Sequence, residues 1–187
     1  FKADAQLREN FYSRLRMLWY AGAGMAHHLW ETLDEIAVET CGERIAILSG
    51  LGSTETAPFA MGADLTMAGA GKIGLPARGV ELKLAPVGGK LEARFRGPSM
   101  TPGYWRQPEL TAKAYDEEGF YKIGDALKFV SEGDVTKGFL FDGRIAEDFK
   151  LSTGTWVCVG NMRGAVIDNF APYVQDAVIA GLNEDYI

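Results

Sequence analysis

Leu7, Phe11, Leu15 and Leu18 recur at spacings of four, four and three, with Arg8, Glu9, Arg14 and Arg16 on the other faces. This periodicity predicts an amphipathic helix whose end runs into a strand. Met17 to Ala21 is a continuous apolar run halted by Gly22-Ala23-Gly24, the pattern of a buried strand ended by a tight turn. Met25, Leu29, Leu33, Ile36 and Thr40 mark the inward stripe of a second helix, Gly42 stands where a C-terminal cap belongs, and Ile45 to Leu48 reads as another buried strand. A strand-helix-strand unit is nearly always right-handed and parallel. The loops Gly22–Gly24 and Gly50–Glu55 therefore emerge together at the carboxyl edge of the sheet, where open α/β sheets bind ligands.

After Pro58 the pattern changes to alternation. Val80, Leu82 and Leu84 alternate with Glu81 and Lys83, and Leu91, Ala93 and Phe95 alternate with Glu92, Arg94 and Arg96. With Gly88-Gly89 as a two-residue turn, Leu84 pairs with Ala93 and Leu82 with Phe95 on one face of a hairpin. A second antiparallel pair is predicted from Leu127–Val130 and Phe139–Phe141, and Tyr121–Asp125 reads as a strand ending at Gly124-Asp125. Further on come a strand at Trp156–Val159, a helix from Met162 toward Phe170 and a terminal strand at Ala177–Ala180. The expected fold class is α/β with α+β character. Residues 1–69 form a strand-helix-strand part of a larger domain, 70–142 a small β subdomain, and 143–187 a hinge and the start of a small α+β domain. The four tryptophans, Trp19, Trp30, Trp105 and Trp156, are expected in the core.

Composition narrows the function. The chain has 187 residues, 47% of them hydrophobic and 24% charged, enough apolar surface for a folded core. Its 19 Lys+Arg against 25 Asp+Glu give a net charge of −6 with no basic run, so neither nucleic acid nor a membrane surface is an expected partner and small molecules are. No apolar stretch is long enough to span a bilayer. Cys41 and Cys158 lie far apart without metal-ligand spacing, which suits reduced thiols and a cytoplasmic location. The chain begins with Phe1 and ends on Asn183-Glu184-Asp185-Tyr186-Ile187, which reads as an internal piece of a longer protein.

Gly50-Leu51-Gly52-Ser53-Thr54-Glu55-Thr56 gathers glycines, three hydroxyls and a carboxylate in seven positions. Glycines let the backbone approach a phosphate, hydroxyls donate to its oxygens and a carboxylate holds Mg²⁺ against it. The same composition also makes ordinary polar turns. Asp125 could accept two hydrogen bonds from the cis-diol of a ribose, or form an Asx turn. The segment Phe141–Lys150 reads by itself as a solvated connection. His27 and His28 are adjacent, so they face different directions on a helix and share no metal.

The order of these clusters is more specific than any one of them. Tyr20-Ala21-Gly22-Ala23, then Gly52-Ser53-Thr54-Glu55, then Arg96-Gly97-Pro98 with Gly103-Tyr104-Trp105, then Tyr121-Lys122-Ile123-Gly124-Asp125, then Gly143-Arg144 with Lys150, resembles the acyl-activating, adenylate-forming enzymes. The resemblance covers nearly the whole chain. Gly50 to Pro58 and Phe141 to Val157 look most like feruloyl-CoA synthetases and related aromatic carboxylate-CoA ligases. It implies an enzyme that activates a hydroxycinnamate-type acid with ATP and Mg²⁺, releasing pyrophosphate, and passes the acyl group to coenzyme A. It implies that Thr54 contacts the α-phosphate beside Ser53, that Glu55 binds Mg²⁺, and that Asp125 and Arg144 hold the ribose. Gly22 and Ala23 would line the adenine and acyl pockets, Glu147 would be a domain hinge, and Lys150 would lie just beyond it.

Three positions depart from the family pattern. Leu51 replaces an aromatic residue that stacks on adenine, Ile123 replaces a threonine, and Glu147 replaces an aspartate. A Ser/Thr/Gly-rich phosphate loop and a late Gly-Lys are absent and would lie before Phe1 and after Ile187. The chain alone is therefore expected to be inactive, and its open strand edges to favour self-association. The alternatives are a fatty acyl-CoA ligase, a carrier-loading adenylation domain, or a non-catalytic module sharing the fold.

Overall fold

The structure, a computed structural model, describes residues 2–22 and 24–187. Helix α1 spans Ala5–Tyr12, with the Asp4 carboxylate accepting the Leu7 N–H at 2.9 Å. It is shorter than the periodicity predicts. Tyr12 is fully buried and donates to the Leu33 carbonyl, whereas Leu7 and Phe11 stay largely exposed and Leu15 packs on the core from beyond the helix. An isolated short helix gains little from propensity, so packing of Tyr12 sets where it ends.

Strand β1 (Met17–Tyr20), helix α2 (His27–Cys41) and β2 (Ala46–Leu51) form the expected parallel unit, in register from Met17↔Ala46 to Tyr20↔Ser49. Gly42 caps α2 at φ 76°, a conformation that favours glycine. After a 3₁₀ turn at Thr54–Thr56 the chain adds β3 (Met61–Gly62), β4 (Lys72–Pro76), β5 (Glu81–Val87) and β6 (Lys90–Arg96). Helix α3 (Pro108–Ala114), β7 (Tyr121–Phe129) and β8 (Phe139–Arg144) follow. These strands make one eight-stranded sheet, ordered β1-β2-β3-β4-β8-β7-β6-β5, in which only β1 and β2 run parallel. The predicted hairpin register holds, with Leu82↔Phe95 and Leu84↔Ala93. Met61, Phe95, Ala93 and Leu127 are essentially solvent-free at the centre of the main core.

The remainder differs from expectation. β7 does not stop at Gly124-Asp125, because Ala126 and Leu127 are buried and keep the strand paired to Phe129. Gly124, at φ 80°, accompanies a register shift between Asp125 and Leu127 instead of a turn. A two-stranded ribbon of β9 (Phe149–Lys150) and β10 (Trp156–Val157) leads into α4 (Val159–Phe170). α4 starts three residues earlier than predicted, where the Asp148 carboxylate accepts the Val159 N–H at 3.0 Å. Ala177–Ala180 is not a strand: among the described residues no segment pairs with it and Val178 is 93% exposed, so its β-forming residues have no ladder to join. The tryptophans are not in the core as expected: Trp105 is 84% exposed, Trp156 45% and Trp19 42%, and none of the four belongs to a buried cluster. Among the described residues no helix is long and apolar enough to cross a membrane, and both cysteines are free.

Candidate functional site

At the carboxyl edge of β1 and β2 the backbone closes on itself. A Cβ on Gly50 would lie 2.6 Å from the Met61 carbonyl oxygen, and one on Gly52 would overlap the carbonyl oxygen of Pro58. Glycine is required at both because other backbone occupies the side-chain space. Thr56 is fully buried, and its hydroxyl accepts the Ser53 N–H at 2.9 Å and donates to the Ser53 carbonyl at 3.0 Å. This clasp holds Thr54 outward and Glu55 half-buried. Thr56→Val keeps the side-chain shape and removes the clasp, so it is expected to lower stability by about 1–2 kcal/mol in urea unfolding.

The Glu55 carboxylate accepts a hydrogen bond from the Tyr104 hydroxyl at 2.7 Å, and its carbonyl accepts the Thr101 N–H at 2.8 Å. The Tyr104 hydrogen bond, outweighing partial burial, holds the Glu55 carboxyl below the usual carboxylate range, so it is ionised at neutral pH. The adjoining carboxylate pushes the Tyr104 phenol well above its ordinary value. Beside this turn lies a cleft of about 350 Å³ lined by Trp19, Ala21, Gly22, Leu51, Gly52 and Phe59. Trp19 and Phe59 stand 5.8 Å apart between ring centroids. Gly22 lines this cleft, and Ala23 lies outside the described residues.

Strand β7 links this edge to the second cluster. Its buried Tyr121 borders Ser53 and Glu55, and Asp125 follows four residues later, about 13 Å along the strand. Asp125 pairs in register with Arg144 of β8, Nε to Oδ1 3.2 Å, yet this buried oxygen has no hydrogen bond. Burial pushes the Asp125 carboxyl up, Arg144 pulls it down and Glu147 adds repulsion, with a net rise. Asp116 is the contrast. Its side chain is likewise shielded from solvent, and burial works against its charge, but Lys83, Arg94 and the N–H groups of Phe120 and Glu118 hold its carboxyl far below the ordinary range. Asp116 is a satisfied structural carboxylate, whereas Asp125 is a buried acceptor with unused capacity.

The structure thus gathers Ser53, Thr54 and Glu55 on one turn and sets Asp125 against Arg144. Glu147 is exposed in the turn after β8, and exposed Lys150 places its Nζ 5.0 Å from the Trp156 ring. His27 and His28 face Glu31 and Asp168 respectively, as their adjacency requires. Sequence reasoning assigned no role to Tyr104, Tyr121 or Thr56. The Gly103-Tyr104-Trp105 motif was the available signal for the first, but its partner Glu55 lies 49 residues away. Among the described residues no three His, Cys, Asp or Glu side chains converge. A lone carboxylate at Glu55 suits Mg²⁺, which is commonly bound through one or two carboxylates with phosphate oxygens and water completing its shell.

A family model described as AMP-binding enzyme matches residues 1–105. The medium-chain fatty-acid–CoA ligase of Escherichia coli (strain K12) is 37% identical over 164 residues, which cover 82% of this chain and 28% of that protein. The malonate–CoA ligase of Arabidopsis thaliana is 27% identical, covering 84% of this chain and 24% of the relative. The chain thus spans less than a third of the length of either. Among solved structures, the adenylation domain of a carboxylate reductase from Mycobacterium chelonae superposes with TM-score 0.70 at 24% identity, covering 97% of this chain and 28% of that one. The anthranilate CoA ligase AuaEII with anthranoyl-AMP gives TM-score 0.67 at 24% identity, covering 88% and 30%. The mixed α/β architecture is that of an adenylation domain.

Proposed function

The chain belongs to the AMP-binding enzyme family, and on that premise we propose that it forms the nucleotide-holding part of an ATP-dependent carboxylic acid–CoA ligase. The observation that carries this reading is Asp125, a buried carboxylate whose Oδ1, ion-paired with Arg144, accepts no hydrogen bond, on the strand that also borders Glu55. Its two oxygens accept the cis-hydroxyls of a ribose, a use of buried acceptor capacity that replaces water with directed donors. Arg144, exposed beside it, donates to the same hydroxyls. Thr54 donates to the α-phosphate, Glu55 holds Mg²⁺, and the backbone of Gly50–Ser53 approaches the nucleotide without side chains in the way. When bound, the cation neutralises charge developing on the phosphates as the acid's oxygen attacks and pyrophosphate leaves. AMP then serves as leaving group when the thiol of coenzyme A attacks the acyl carbon.

The acid we propose is an aromatic carboxylate of the hydroxycinnamate type, supported by the aromatic rings of Trp19 and Phe59 that line the cleft. The identity with a medium-chain fatty-acid–CoA ligase supports the second reading, a straight-chain acid. Pyrophosphate exchange with ATP, measured on the protein at its full natural length with ferulate and with octanoate, separates the two. Glu55→Gln is expected to slow exchange about a hundredfold. Exchange with neither acid, or a Glu55→Gln variant as fast as the parent, would remove the ligase reading. The 187-residue chain alone is expected to exchange nothing. We place the hinge at Glu147, with Lys150 beyond it.

A further inference from the structure

The Glu55 carboxylate does not choose its own direction. Tyr104 donates to it at 2.7 Å, and the loop that presents Tyr104 is fastened at several points. The Tyr104 N–H donates to the Thr111 hydroxyl at 2.9 Å, which itself donates at 2.9 Å to the carbonyl of Gln107, the N-cap residue of α3. Thr101 binds the Glu55 carbonyl through its N–H, and the Tyr115 hydroxyl donates to the Thr101 carbonyl. Gly103 packs so close to Thr111 that a Cβ would lie 2.5 Å from its methyl group. A loop held this rigidly, touching both the backbone and the side chain of one acidic residue, fixes that side chain's rotamer before any ligand arrives.

From this geometry we propose that Tyr104 is a positioning residue for Glu55, holding one carboxylate oxygen so that the other is presented to the divalent cation that accompanies ATP. The inference rests on the reading of Glu55 as a cation ligand given above. A hydrogen-bonded partner behind a ligand orients it and removes its rotamer freedom, and losing such a partner typically weakens metal binding about tenfold or more. The phenol suits the task because beside an ionised carboxylate it stays protonated and remains a donor.

The test is a Mn²⁺ titration of the full-length protein in the presence of a non-hydrolysable ATP analogue, reading free Mn²⁺ by electron paramagnetic resonance. Tyr104→Phe, which removes only the hydroxyl, is expected to weaken Mn²⁺ retention about tenfold. Thr111→Val, which frees the Tyr104 amide and loosens the loop without touching Glu55, is expected to shift it in the same direction by less. Glu55→Gln is the reference for complete loss. If Glu55→Gln loses the cation and both Tyr104→Phe and Thr111→Val bind like the parent, the positioning role is overturned while the metal reading stands. If Glu55→Gln binds Mn²⁺ like the parent, the metal reading itself fails and takes the inference with it. Should Tyr104→Phe fail to fold, Thr111→Val alone decides: parental affinity overturns the role, weakened affinity supports it.

Discussion

Alanine at Gly52 is expected to unseat the turn that presents Thr54 and Glu55, with a stability loss of about 3 kcal/mol or more and no measurable AMP binding. The added Cβ would overlap the Pro58 carbonyl oxygen and its carbon, and would crowd the Thr56 hydroxyl at 2.9 Å. Two of these neighbours are backbone, so no rotamer change relieves the overlap. The chain must open between Ser53 and Pro58, which breaks the Thr56 clasp. Gly24 is the control, because nothing lies within 4 Å of its ideal Cβ and its backbone is not left-handed, so Gly24→Ala should unfold within about 0.5 kcal/mol of the parent. Urea unfolding and AMP calorimetry on both variants test the contrast. A Gly52→Ala protein that keeps parental stability would show that the 53–58 turn is plastic and that glycine is not required there.

Asp125→Asn is expected to raise stability at neutral pH while reducing AMP affinity about a hundredfold or more. Asp125 is buried with an unfilled acceptor, and its carboxyl is raised above the ordinary value. A raised folded-state value means that the native protein binds this proton more tightly than the unfolded chain does. Its contribution is most favourable below the ordinary aspartate range and falls as pH climbs through the raised value, staying lower above it. The neutral amide escapes that penalty, for a gain on the order of 1 kcal/mol at pH 7 that shrinks toward zero near pH 3. Arg144 loses its partner but is 59% exposed, so its charge is solvated at little cost. Ribose binding moves the other way, because the amide supplies one acceptor where the carboxylate supplied two and adds a donor against hydroxyls. Urea unfolding at pH 7 and pH 3 gives the first half and calorimetry with AMP the second. A loss of stability at pH 7 would mean that the Arg144 pair is net stabilising and that Asp125 is a structural residue like Asp116.

Asp125 also shows how far the chain could be read. That an aspartate follows Gly124 was visible, and so was its match to a ribose-binding motif. Its place in the middle of a nine-residue strand was not, because a glycine after apolar residues signals a turn and a bulge alike. Burial of Ala126 and Leu127, against β6 and β8, decided between them. The first helix failed for a related reason: the stripe from Leu7 to Leu18 is regular, but within the helix it is Tyr12, off that stripe, that is buried, and Leu15 reaches the core only from beyond the helix end. At the far end, Ala177–Ala180 had the residues of a strand and no neighbour to pair with.

By itself the sequence determined the parallel strand-helix-strand unit, the hairpin register through Leu82↔Phe95, and the gathering of Ser53, Thr54 and Glu55 on one glycine-flanked turn. These depend on period, cap and turn chemistry within a few tens of residues, where spacing alone constrains geometry. Only the tertiary structure decided that Tyr104 reaches Glu55, that Tyr121 borders the same turn, and that Asp125 is buried with an oxygen to spare. Those contacts join positions far apart in the chain through sheet order and register shifts. Their energy comes from burial that many strands share, so no local pattern could announce them.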